Sequence, residues 1–367
     1  MADVFIIAEA GVNHNGSLDK ALALVAAASR AGADAVKFQT FKAEAVAAAS
    51  AAKAAYQARE TGAGESQLAM LRKLELSDRD FERIAQECAN LGIEFMSTAF
   101  DAGSLSLLVD RLGIRRIKCP SGEVTNGPFL LAMARTKLPL ILSTGMATMD
   151  EIAEALAVLG FGYARSDEPL GRDDLVRTAS SEAARAALAE KVTILHCTSA
   201  YPAPVDALNL NAMISIRERF ALPVGYSDHS LGAHVCVAAA AMGAVMLEKH
   251  FTLDRSLPGP DHKASLEPDE LLGLVRQVRE VSQALGSREK RPSAAELDTR
   301  MVARRSLMAR RAIKRGARFS DADLVALRPA GGLSPMELWN LKRQAARRDY
   351  AAGEPIDTAE ITRTVQP

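Results

Sequence analysis

PVGYSDHSLGAHVCVAAAAMGAVMLEKH (223–250) is the stretch that decides the fold. It opens on a short apolar run that ends in polar residues, PVGYSDH (223–229). It continues through HVCVAAAAMG (234–243), whose apolar residues recur at helical spacing. It closes on a second run of the first kind, AVMLEKH (244–250). Continuous apolar strands joined by a helix mark parallel βα units whose sheet is covered on both faces. Reading outward, six more such runs precede this pair: VFIIAEA (4–10), DAVKFQT (34–40), EFMSTAF (94–100), RRIKCPS (115–121), PLILSTG (139–145) and VTILHCT (192–198). Helical spacing lies between most of them, in LDKALALVAAASRAG, SLSLLVDRLG, GPFLLAMART and MDEIAEALAVLG. Eight strands with intervening helices over residues 1–285 predict an α/β fold, a (β/α)8 TIM barrel. An open doubly wound sheet would place a GxGxxG after the first strand, and EAGVNHNGS lacks it.

Three stretches depart from the repeat. Residues 43–92 form a long, partly Ala-rich connection between the second and third strands, read as helical, with Ser77 placed to cap its last helix. Residues 161–190 are polar and read as a surface excursion. Residues 286–300, GSREKRPSAAELDTR, read as a linker. Beyond it, in 301–367, IKRGARFSDADL (313–324) and YAAGEPIDTAEI (350–361) align without a gap. Each has a turn glycine, an apolar residue three later, then an acid and a final Leu or Ile. This echo predicts a small pseudo-symmetric domain of short strands and turns. It is too short for a solenoid.

The chain has 367 residues, 48% hydrophobic and 25% charged, with 45 basic and 45 acidic side chains. A balance of zero argues against nucleic-acid and membrane-surface partners, which require a basic excess. No apolar run is long enough to cross a bilayer. The N-terminus reads as a strand rather than a signal peptide. Four scattered cysteines without a CxxC pair suit reduced thiols, and the expected location is cytoplasmic.

In a barrel of this kind the chemistry gathers at the C-terminal ends of the strands. Those ends carry Glu9, Asn13, Lys37, Gln39, Ser97, Thr98, Lys118, Ser121, Glu123, Ser143, Thr144, His196, Thr198, Tyr201, Ser227, Asp228, His229, Glu248 and His250. A core has no use for such a ring, because burying an unpaired charge is costly. Lys37 and Lys118, with Thr98, Ser121 and Ser143, form a cationic, hydroxyl-rich cradle for a phosphate or carboxylate. The competing reading is strand-end lysines reaching solvent. His229 and His250 end neighbouring strands, and a two-histidine site with oxygen ligands suits a divalent metal: manganese first, then magnesium or cobalt. The competing reading is a hydrogen-bonded structural pair. His196, within ILHC, reads as structural, and the cysteines are given no catalytic role.

EAGVNHNGS (9–17), AVKFQT (35–40), STAF (97–100), KCPSGEVTN (118–126), ILSTGM (141–146), HCTSAYPAP (196–204), GYSDHS (225–230), EKHFT (248–252) and LPGPDHKASLEP (257–268) resemble the sialic acid synthase family, including its legionaminate and pseudaminate synthase members. The resemblance spans the chain, and the tail is similar to the family's antifreeze-protein-like domain (SAF, β-clip). It implies condensation of phosphoenolpyruvate with N-acetylmannosamine or a 2,4-diacetamido-trideoxy hexose. It places phosphoenolpyruvate on Lys37, Gln39, Thr98, Lys118, Ser121 and Ser143, and the metal on His229 and His250. The sugar falls near Glu9, Tyr201, Ser227, Glu248 and Asp261, and Arg328 reaches the partner subunit's site in a domain-swapped homodimer. Two motifs depart from the family's pattern: Ser199 stands where N-acetylneuraminate makers usually carry Asn, and the tail motif reads RPAGG, with Ala330 and Gly331 substituted. Glu9 and Glu123 are the candidates to handle protons. A class II-type aldolase would share the histidines without the two lysines, and a sugar-binding protein would need neither.

Overall fold

The computed structural model describes residues 3–48, 50–53, 57–58 and 64–361. The expected connection over 43–92 therefore lies partly outside the described residues. The chain divides into two compact units, 1–286 and 287–367.

In the first unit eight parallel strands close into a barrel in sequence order: β1 Phe5–Gly11, β2 Ala35–Thr40, β3 Glu94–Ala99, β4 Ile117–Cys119, β5 Leu140–Ser143, β6 Val192–Cys197, β7 Val224–Asp228 and β8 Met246–His250. Each is one of the eight apolar runs. β4 is cut to three residues by Pro120, which has no N–H to continue the ladder.

Alternation along the strands builds the site. Ile7, Ala35, Met96, Ile141, Leu195 and Met246 fill the barrel interior as one apolar layer. Side chains in a strand repeat every second residue. The next layer toward the C-terminal ends is therefore Glu9, Lys37, Thr98, Ser143, Cys197 and Glu248. On β7 the inner position of the apolar layer is Gly225, where a Cβ would stand 2.3 Å from the Met246 carbonyl oxygen and 2.6 Å from Leu195 Cδ2. Only glycine fits, and two residues on Ser227 enters the polar layer.

The helices follow the periodic segments: Leu18–Arg30, Gly127–Arg135, Met149–Ala164 and His234–Ala241. Ser77 caps Asp78–Leu91 through a reciprocal pair with Asp80. Residues 161–190 differ from the expected surface excursion. They finish one helix and form two more, Arg172–Ala179 and Glu182–Lys191. These pack on Met149–Ala164, where a Cβ on Gly160 would touch Leu188 and Ala184. Buried Asp174 anchors the turn, with Arg165 and Arg177 as ion-pair partners.

In the second unit the expected linker is partly ordered, since helix Leu297–Ala303 begins inside it. Strands β9 Ser306–Ala309 and β10 Leu324–Leu327 pair antiparallel. The internal echo is realised as pseudo-symmetry. Ile313 and Tyr350, the first residues of the two copies, exchange backbone hydrogen bonds of 3.0 and 2.8 Å. Gly316 and Gly353 both adopt left-handed φ, +85° and +84°. Phe319 and Ile356 are both core residues, and the acids Asp323 and Glu360 are both buried.

Candidate active site

One cavity of about 400 Å3 opens at the C-terminal ends of the strands. Its lining includes Glu9, Lys37, Gln39, Thr98, Lys118, Ser121, Ser143, Ser199, Tyr201, Ser227, His229, Glu248, His250 and Asp261. Fourteen of the sixteen site residues read from the sequence are brought together there.

Two are not. Glu123 follows Ser121 in a single 3-10 turn, and its carboxylate accepts from Asn126 Nδ2 at 2.6 Å. Asn126 in turn caps helix Gly127–Arg135. Glu123 thus stands at a helix start and is not among the residues that line the cavity. Arg328 lies in the second unit, exposed, just after β10.

At the floor of the cavity two lysines and two carboxylates form a closed, buried network. Lys37 Nζ lies 2.6 Å from Glu9 Oε2 and 3.7 Å from Glu248 Oε2, and donates to Thr98 Oγ1 at 2.9 Å. Lys118 Nζ donates to Glu248 Oε1 at 3.0 Å, which also accepts from Ser227 Oγ at 2.9 Å. Burial opposes the charged form of both carboxyls, with different outcomes. At Glu9, burial outweighs Lys37 and, with Glu248 adding to it, pushes the carboxyl up to about 7. At Glu248, burial is overcome by the charges of Lys118 and Lys37 together with the hydrogen bonds from Lys118 and Ser227, and the group is held well below the usual carboxylate range. Burial also works against the Lys118 ammonium, but Glu248 and Glu9 raise it above its ordinary value. Two cations thus face one firm anion and one carboxyl poised near neutrality, leaving positive charge for an anionic ligand.

The hydroxyl arc follows on the next strands. Ser121 Oγ accepts from Gly145 N at 2.9 Å and lies 3.2 Å from Cys197 Sγ. A Cβ on Gly145 would sit 2.2 Å from Ser199 Oγ, so glycine keeps this cradle open. Among the described residues Ser143 Oγ, which is buried, has no hydrogen-bond partner, and a ligand oxygen can supply one.

His229 and His250 stand with ring centroids 5.7 Å apart, and Tyr201 packs on both. His229 Nδ1 donates to the Thr198 carbonyl at 2.6 Å, which leaves Nε2 as the lone-pair nitrogen facing the Tyr201 hydroxyl at 3.2 Å. Burial drives His229 down to about 4 and His250 well below its ordinary value. Both rings are therefore neutral, the form that binds a metal. Among the described residues the buried His250 Nδ1 has no hydrogen-bond partner. These features fit a divalent ion. Among the described residues no three His, Cys, Asp or Glu side chains form a complete ligand set, so substrate and water would supply the remaining positions. Asp261 is pushed up to about 6 by burial alone.

Residues 24–290 match the NeuB family and residues 304–362 the SAF domain. The chain belongs to the NeuB family. Among the relatives of this NeuB-family chain, the N,N'-diacetyllegionaminic acid synthase of Legionella pneumophila is 45% identical over 96% of this chain and 93% of its own. That of Campylobacter jejuni is 43% identical over 97% and 99%. The crystal structure of N-acetylneuraminic acid synthetase from Leptospira borgpetersenii, in complex with citrate, superposes with a TM-score of 0.66 at 30% identity, covering 81% of this chain and 90% of its own.

The sequence reading missed three features of the cavity. Cys197 lines it, although apolar neighbours in the sequence mark it as core. Gly145 contributes only its backbone. The third is an apolar wall just past the ends of β1, β2 and β3, where Val12, Phe41 and Phe100 meet Met70, Leu71 and Leu74. The remaining strand-end residues support the frame. Asn13 Nδ2 holds the Phe251 carbonyl and Ser265 Oγ, Thr144 holds the Leu195 carbonyl, and His196 Nε2 bonds the Leu208 carbonyl, as its structural reading requires.

Proposed function

We propose that this nonulosonic acid synthase joins C3 of phosphoenolpyruvate to the aldehyde carbon of an open-chain N-acetylated hexose, a 2,4-diacetamido-trideoxy sugar ahead of N-acetylmannosamine. The observation that carries the reading is the convergence of Lys37, Lys118, Thr98, Ser121 and Ser143 beside the His229–His250 pair. The synthase identities of the relatives support it over an aldolase or a binding protein.

In the reaction the enol π pair forms the C3–carbon bond, and the aldehyde oxygen takes a proton. Water adds its oxygen to C2 and gives up a proton. The bond from C2 to the phosphate-bearing oxygen then breaks as the new C2 hydroxyl gives its proton to the departing phosphate, leaving a C2 ketone and inorganic phosphate. Lys37 and Lys118 hold the carboxylate and phosphate and fix the enol for attack. Ser121 and Ser143 bond the phosphate oxygens. Glu9, close to half-protonated at neutral pH, is the carboxyl suited to pass a proton. His229 and His250 would hold manganese, or magnesium or cobalt in its place, which supplies Lewis acidity toward the aldehyde oxygen.

The working form is read as a homodimer in which the second unit of each chain brings Arg328 to its partner's barrel. The exposure of Arg328, with Met336 and Trp339 also exposed on that unit, supports this. The compartment is read as the cytoplasm, on four buried free thiols. Among the described residues no helix is long and apolar enough to cross a membrane.

Phosphate release tests the function. Purified chain with phosphoenolpyruvate, Mn2+ and either acceptor should liberate phosphate in step with a nonulosonic acid. Release without acceptor, or none with any acceptor, overturns it.

A further inference from the structure

The loop that follows β8 (251–267) brings Asp261 into the lining of the cavity, where it is 6% exposed. Among the described residues its carboxyl has no hydrogen-bond or ion-pair partner, and burial alone shifts it. The aim of that carboxyl is therefore set through the backbone that carries it. The Asp261 carbonyl accepts from Ser265 Oγ at 2.7 Å and from Ala264 N at 3.2 Å. Ser265 Oγ in turn accepts from Asn13 Nδ2 at 3.0 Å, and the same amide reaches the Phe251 carbonyl at 2.8 Å. One residue of the first βα loop thus clasps both ends of the loop after β8.

A second tie runs through the chain neighbour of Asp261. His262 is fully buried and does not line the cavity. Its Nε2 lies 3.2 Å from Asn15 Oδ1, and its Nδ1 lies 2.7 Å from Thr252 Oγ1. The tautomer follows from the far end of this chain of bonds. The Pro258 carbonyl can only accept, so Asn15 turns Nδ2 toward it, at 2.8 Å, and leaves Oδ1 for His262. Nε2 must then carry the proton, and Nδ1 takes the Thr252 hydroxyl. Burial pushes the ring down to about 4, which keeps it neutral. A Cβ on Gly259 would stand 2.6 Å from His262 Cδ2, so that glycine makes room for the ring.

Resting on the function proposed above, we infer that His262 is a positioning residue of the synthase site, which through Thr252 and Asn15 holds Asp261 against the acceptor. The carboxylate and phosphate of the first substrate belong on Lys37 and Lys118. The hydroxyls of an open-chain sugar are then the partners left for a buried carboxyl that has none of its own. His262 bridges the start of its own loop, at Thr252, to the first βα loop, at Asn15. Removing the ring leaves Asn15 Oδ1 without its donor and frees the backbone one residue from Asp261. A carboxyl displaced in this way loses the acceptor. The anion cradle is untouched, because Lys37, Lys118 and Ser143 stand on β2, β4 and β5.

Steady-state kinetics of the full chain with Mn2+ and either N-acetylmannosamine or 2,4-diacetamido-2,4,6-trideoxymannose test this. His262→Leu and the nearly isosteric Thr252→Val should each raise the KM of the acceptor in use by about tenfold or more. The KM for phosphoenolpyruvate should stay at the wild-type value. His262→Gln, whose amide can still donate to Asn15, should recover part of the loss. A merely structural role would instead lower the active fraction, and with it kcat, and leave both KM values alone. That outcome overturns the inference, as does an equal rise in both KM values in either variant. In those cases a wild type that releases phosphate keeps the synthase function standing. No release by the wild type with either sugar overturns the function and the inference together.

Discussion

Lys249 Nζ lies 2.8 Å from Asp228 Oδ2, with both side chains sealed from solvent on the outer side of β7 and β8. Each is the immediate chain neighbour of a cavity imidazole. Asp228 Oδ1 accepts from Ser230 N at 2.9 Å, and Lys249 also donates to the Ser230 carbonyl. The backbone on both sides of His229 is thereby tied to the residue preceding His250. A buried pair is weak evidence of stability in itself, but removing one partner strands the other. Lys249→Met should cost on the order of 3–5 kcal/mol in urea denaturation. Asp228→Leu in the same chain should recover part of that loss while still weakening Mn2+ binding followed by electron paramagnetic resonance. Unaltered Mn2+ affinity in the folded double variant means that the pair does not position the imidazoles.

His229→Ala and His250→Ala should each abolish Mn2+ retention and metal-dependent turnover while leaving the melting temperature within a few degrees of wild type. Both rings are neutral and their burial is incomplete at the cavity side, at 7% and 6% exposure, so truncation opens no sealed core cavity. Full activity after chelation, and in both variants, removes the metal from the mechanism.

Lys118→Met should raise the KM for phosphoenolpyruvate far more than that for the sugar. A lost charge-assisted hydrogen bond to a desolvated anion costs on the order of 2–4 kcal/mol, roughly 30- to 1000-fold. The same substitution removes the strongest attraction holding Glu248 ionised, so the variant's activity should also fall off at a higher pH on the acid side than the wild type's. A phosphoenolpyruvate dependence identical to wild type puts Lys118 outside the anion site.

Much of this site was legible because a strand imposes a period of two. A charged or hydroxyl residue two positions beyond an apolar interior residue has to enter the barrel mouth, and Glu9 after Ile7, Lys37 after Ala35 and Glu248 after Met246 all do. Glu123 escaped the rule because Pro120 ends β4, and the 3-10 turn that follows points its carboxylate at Asn126. The apolar wall was illegible for the opposite reason. Val12, Phe41 and Phe100 continue apolar runs and look like core, and nothing local in the sequence indicates that the barrel has already opened beneath them. The helices within 165–191 are short and polar, held by Asp174 and by packing on Gly160, so their periodicity gave little signal.

Asp261 gives the clearest pH signature, because burial alone raises it, from an ordinary 3.8 to about 6. Between those values the folded state holds a proton that the unfolded chain releases, so this group's contribution to stability falls as pH rises, and is fully lost above about 6. The magnitude is on the order of 3 kcal/mol. The buried neutral histidines act in the opposite sense, so the wild type's own curve mixes the two. The difference between wild type and Asp261→Asn isolates the carboxyl. Relative to wild type, the variant should gain stability steadily from pH 4 to pH 6.5 in thermal melts, and level off above. A difference that is flat across that range means that Asp261 is solvated.

Arg328 and Lys118 belong to different units of the chain, so the proposed dimer can be tested by complementation. The linker region is polar, and the tail is basic in RRSLMARRAIKRGAR and KRQAARR, which suits a cap that draws anionic substrate toward a water-poor mouth. Arg328→Ala and Lys118→Met chains should each be nearly inactive alone. After subunit exchange, verified by mass, a mixed dimer acting in trans pairs the intact barrel of the first chain with the intact tail of the second. Activity should then rise to about a quarter of wild type in an equal mixture: half of the dimers are mixed, and each has one complete site. If the exchanged mixture gives only the average of the two mutants, each tail serves its own barrel, and the crossing arrangement is excluded.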